Sequence, residues 1–196
     1  NVMTAVGAVA NYDEVRPRLQ TGDLILLGDC RGGAAVAPPS VASSVATLAL
    51  RVVEMSPWAD CGVVFRADEG AESVTVWCPR LGSTLPLTQV LLMHPTCTAV
   101  RALTCSPKQR AVVQTYFDTL VDQIQSAGAA NMTDAVSSYL YRQTHAVNPR
   151  PGSTGLTAAE AVAFFYQSCG VLRGTPYGVT AASFAVQQQA AAGGGA

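Results

Sequence analysis

Charge, lysine and histidine are all scarce in this sequence. Asp, Glu, Lys and Arg together make up 13% of the 196 residues. Of the twelve basic residues only Lys108 is a lysine, which reads as coding bias and not as mechanism. His94 and His145 are the only histidines. A protein metal site needs three or four ligands at workable spacing, so no metal or other cofactor is expected. No Cys-x-x-Cys pair occurs, which disfavours a zinc ribbon or a thioredoxin-like centre. No apolar run reaches the roughly 20 residues that span a bilayer. The longest candidate, 41–53, is broken by Ser43, Ser44, Thr47 and Arg51. Twelve basic residues against thirteen acidic ones leave a net charge of −1 and a pI near 6.1. That balance argues against direct DNA or general nucleic-acid binding, and against polybasic attachment to membranes. No signal-peptide pattern follows Asn1.

What the chain does have is apolar bulk. Hydrophobic residues make up 49% and the mean hydropathy is +0.25. A chain of this length buries a core without disulfide help. We expect a single domain over 1–186, opened by an entry segment, and a low-complexity Ala/Gly tail over 187–196. Six cysteines stand at 30, 61, 78, 97, 105 and 169. The even count permits disulfides, but buried free thiols are the expectation, since free Cys behaves as a small core residue. The Asn131-Met132-Thr133 sequon says little without evidence of secretion.

Hydrophobic periodicity places the elements. Residues 23–27 are a short apolar run ending in Gly28 and read as a buried strand. Val41, Val45, Leu48 and Val52 have helical spacing, predicting a helix over 40–55. Residues 61–65 and 73–78 read as a strand pair joined by an acidic loop. Pro79 and Gly82 close the second of these. Residues 87–92 fit strand or helix equally, and 98–104 read as another strand. Ser106-Pro107 signals a helix start, with Val113, Phe117, Leu120, Val121 and Ile124 as its apolar stripe to about residue 126. A further helix is expected over 133–144. Thr157 and Glu160 form a capping box that opens a helix ending at Gly170. The order predicts an α+β fold: a small antiparallel sheet packed with helices.

Three segments together resemble one family. The first is Gln20-Thr21-Gly22-Asp23-Leu24-Ile25. The second is Ser56-Pro57-Trp58-Ala59-Asp60-Cys61-Gly62-Val63-Val64. The third is Thr157-Ala158-Ala159-Glu160-Ala161-Val162-Ala163-Phe164-Phe165-Tyr166, followed by Val179-Thr180-Ala181-Ala182-Ser183-Phe184. In order and spacing this set resembles the circularly permuted papain-like hydrolases of the NlpC type (YiiX-like), the branch that includes lecithin retinol acyltransferase relatives. The resemblance covers about residues 17–186. It implies a cysteine nucleophile at the N-terminus of the last motif's helix, a histidine base on a strand, and an orienting residue on the next strand. A helix N-terminus stabilises a thiolate, and the imidazole takes the thiol proton. Matched residue by residue, the nucleophile position holds Ala158 and the base position Asp60. The orienting position falls near Trp77 or Cys78. The resemblance therefore implies a catalytically inactive member, with no catalytic residues and degenerate positions Asp60, Cys78 and Ala158.

Other residues weigh in less. Cys61 adjoins the base position, but strand alternation turns it to the other face. Cys169 lies at the wrong end of its helix, where the dipole disfavours a thiolate. His94 and His145 read as surface or capping residues, Trp58 as a packing residue, and Tyr139 and Tyr141 as one core and one surface residue. Arg16, Arg18 and Arg31 read as solvated surface or a small anion patch.

The expectation is a structural or interaction subunit of a large protein assembly: a pseudoenzyme with protein partners and no small-molecule substrate. Low charge suits a surface covered by partners. An intracellular ciliary or flagellar microtubule-associated scaffold is the first expectation, and a peripheral mitochondrial-ribosome subunit the second. Two rivals stay open. One is a thiol-dependent amide hydrolase or acyltransferase using Cys30 or Cys61 with Asp60 or His94. The other is a module that holds a peptide or acyl chain in the old cleft around Asp60, Trp77 and Ala158.

Overall fold

The structure is a computed structural model, and it describes residues 4–5, 12–28, 58, 60–67, 74–94, 98–126 and 156–186. The helices expected over 40–55 and 133–144, the tail over 187–196, Arg31, Cys30, Cys97, Tyr139, Tyr141 and His145 lie outside the described residues.

Among the described residues six strands form one antiparallel sheet in the order β1-β6-β2-β3-β4-β5. They are β1 (Thr4–Ala5), β2 (Leu24–Leu27), β3 (Asp60–Arg66), β4 (Val74–Cys78), β5 (Ser83–Pro86) and β6 (Thr98–Ala102). The helices are α1 (Tyr12–Val15), α2 (Leu87–Met93), α3 (Pro107–Ser126), α4 (Ala158–Ser168) and α5 (Ala181–Val186). The fold is thus α+β with an antiparallel sheet, as the element order implied.

Alternation along the strands sends side chains to two separate cores. Leu24, Leu26, Cys61, Val63 and Trp77 face one way, against Val113 and Phe117 of α3 and Val162 and Phe165 of α4. Ile25, Leu27, Val64, Val76 and Cys78 face the other way, against Leu19 and Leu87, Val90 and Met93 of α2. β2 is buried at every position, which explains its uninterrupted apolar run. A Cβ on Gly62 would lie 2.7 Å from the Trp77 carbonyl oxygen, so the close β3–β4 approach requires glycine there.

The structure resolves one element that the sequence left open and adds one that it did not show. Residues 87–93 are helical, with Leu87, Val90 and Met93 at spacings of three on the buried side. Residues 83–86 are an edge strand, joined to β4 by a 3-10 turn over Pro79–Leu81. Its pattern is half-exposed and it ends in proline, so it carries no apolar run to read, and an edge position tolerates the missing N–H. Around Pro17 the chain makes only one short helix, Tyr12–Val15, and a 3-10 turn over Arg16–Arg18, since proline does not continue a longer helix.

The expected helix signals hold at α3 and α4. Ser106 caps α3, accepting from the Gln109 N–H at 3.2 Å, while the Gln109 side chain accepts from the Ser106 N–H at 3.0 Å. The Thr157–Glu160 capping box is formed in full. The α4 C-terminus is a Schellman motif. Gly170 is left-handed at φ 68°, its N–H donates to Gln167 O, and the Val171 N–H donates to Tyr166 O.

Candidate functional site

The positions that the resemblance assigns to chemistry gather at one end of the sheet. The Tyr166 hydroxyl donates to Gly22 O at 2.8 Å, and the Gly22 N–H donates to Val64 O. These bonds fix the C-terminal half of α4 beside the far end of β3. α4 also packs on the turn over Pro79–Leu81, beside the start of β3, so the helix runs alongside β3 in the same direction and Ala158 lies at the end where β3 begins with Asp60.

The two positions do not converge. Cys61, Val63 and Trp77 point at α4, so alternation places Asp60 on the opposite face with Gly62 and Val64. The space between α4 and the strands is filled by Cys61, Val63, Trp77, Ala159, Val162 and Phe165. Trp77 and Phe165 rings pack at 5.8 Å, and Phe117 meets Phe165 edge-on at 5.4 Å. Of the two residues at the orienting position, Trp77 belongs to this core and Cys78 to the other face. Trp58 packs against the α4 core, as expected.

Asp60 is buried, and its Oδ1 accepts from the Cys61 N–H at 2.8 Å. Burial pushes the carboxyl above the usual carboxylate range, against the opposing pull of Arg80, the Cys61 N–H and His94. Of the two roles the sequence left open for His94, surface or capping, the structure shows the capping one. His94 is the C-cap of α2 and is buried, with Nδ1 2.9 Å from Gly28 O. A carbonyl only accepts, so that bond assigns the proton to Nδ1. Through Nδ1 the imidazole ties the end of α2 to the end of β2.

Neither Cys61 nor Cys169 is an activated thiol. Cys61 is driven well up by burial, with the Asp60 and Cys78 charges adding to it. Burial lifts Cys169, the C-cap of α4, to about 11. A thiol in that range holds its proton at neutral pH and is a poor nucleophile. Cys78 is buried and Cys105 half-buried. Among the described residues no three His, Cys, Asp or Glu side chains gather as metal ligands. No helix among them is long and apolar enough to cross a membrane.

Two carboxylates of the motifs serve the frame. Asp23 Oδ1 accepts from the Leu103 N–H and Oδ2 from the Gln20 N–H, both at 2.9 Å. Arg110 of α3 stands 3.8 Å from Oδ1. Burial still raises the Asp23 carboxyl, opposed by those two N–H groups and by Arg110. Gly22 beside it has φ 91°, and a Cβ there would meet Leu103 at 2.9 Å and Val113 at 3.0 Å. Glu160, fully buried, accepts at Oε2 from the Thr157 N–H and hydroxyl at 3.0 Å each, and at Oε1 from the Gly178 N–H at 2.8 Å. It locks the start of α4 to the turn before α5.

At the other end of the sheet an open groove of about 740 Å3 is lined by Pro17, Leu19, Gln20, Thr21, Arg66, Ala67, Arg110 and Gln114. Sequence reasoning missed it, because Arg66 and Arg110 are 44 residues apart and neither sits in a motif.

No model of a known protein family matches the chain, and no curated protein matches it.

Proposed function

We propose that this chain is a non-catalytic structural or interaction subunit of a larger protein assembly, built on a permuted papain-like fold of the NlpC type. One observation carries the reading. The positions that would hold nucleophile and base carry Ala158 and Asp60, Asp60 projects from the face of β3 turned away from α4, and the space beneath α4 is packed with core side chains. A fold that retains its frame at Asp23, Glu160 and Tyr166 while its cleft is filled supplies shape, not chemistry. A ciliary or flagellar microtubule scaffold is the first assembly to test, and a peripheral subunit of the mitochondrial ribosome the second.

The test is isolation of the native protein under mild conditions, with size-exclusion chromatography and mass spectrometry of what travels with it. Co-elution with a large, stable complex supports the reading and names the partners. Elution as a free 20.3 kDa chain rejects it.

A second reading is a thiol hydrolase pairing Cys30 with His94. It is favoured by the Nδ1 bond to Gly28 O, which leaves Nε2 as the basic nitrogen and anchors the ring two residues before Cys30 in sequence. Rapid labelling of Cys30 by an iodoacetamide probe, abolished by His94→Asn, supports that reading; labelling at the rate of a free peptide thiol rejects it.

A further inference from the structure

We draw no further inference here: the strongest candidate, the surface patch where exposed Phe164 of α4 and exposed Tyr177 of the loop pinned to Glu160 and Gln167 stand, is an apolar face, and nothing in the structure shows what covers it.

Discussion

Glu160 offers a direct check on the claim that the motif residues now serve the frame. Among the described residues its two oxygens accept three hydrogen bonds inside a fully buried site. Glu160→Gln keeps the shape but turns one oxygen into an NH2. Whichever way the amide is set, that NH2 faces either the Gly178 N–H or the Thr157 N–H. One buried backbone donor loses its acceptor, at a cost of about 1–3 kcal/mol. Glu160→Ala removes the acceptors of both N–H groups and the reciprocal half of the capping box. Adding a cap loss of about 1 kcal/mol to one or two orphaned donors gives a cost of about 3–5 kcal/mol. Thr157→Ala removes the hydroxyl that accepts from the Glu160 N–H and donates to Glu160 Oε2 but leaves the Thr157 and Gly178 N–H groups their acceptors, at about 1 kcal/mol. Urea unfolding followed by circular dichroism reads all three. E160A is expected to lose the most stability, E160Q less and T157A the least, with non-additivity when E160A and T157A are combined. If E160Q lies within about 0.5 kcal/mol of the unsubstituted chain, the carboxylate is not structural and the reasoning fails.

Three further outcomes follow from the packing and the charges. Asp60→Asn should stabilise the chain at pH 7. The folded carboxyl titrates above its unfolded value because it is buried, so the folded state takes up the proton first. Stability then falls as pH rises from the unfolded value through the folded one, and the advantage of D60N should vanish as pH is lowered toward about 4; an advantage that grows on acidification contradicts the burial argument. Phe165→Ala should cost about 3–5 kcal/mol, since the ring touches Trp77, Phe117 and Tyr166, and a loss under about 1 kcal/mol would show a looser core. The double variant A158C/D60H should fold yet give no turnover of a p-nitroanilide, because residue 60 projects away from α4; turnover would mean that the two positions do converge.

The sequence shows the parts of this fold whose signal is local. Ser106-Pro107, Thr157 with Glu160, and Gly170 mark helix ends by chemistry confined to one turn, and each stands where the residues imply. β2 is legible because burial on both faces leaves only apolar residues. β5 is not, since an edge strand of Ser, Thr, Leu and Pro is held by pairing with β4 and not by its own pattern. Residues 87–93 are ambiguous in sequence because Leu87, Val90 and Met93 become a helical stripe only once they have a sheet to cover. His94 reads as a surface or capping residue, and the sequence does not show that the cap is buried. Its burial depends on Gly28, 66 residues away. The groove of Arg66 and Arg110 is likewise invisible in sequence, because antiparallel pairing and the packing of α3 bring together residues that share no motif.

The measurement that bears most directly on the central claim is the hydrodynamic mass of the chain in native extract of its own cells, by fluorescence-detected sedimentation of a tagged copy. The account predicts sedimentation in a particle far larger than a 20.3 kDa chain, unchanged when Cys30 is replaced by serine. Sedimentation as a free monomer, or a particle that forms only while a reactive thiol is present, would contradict it.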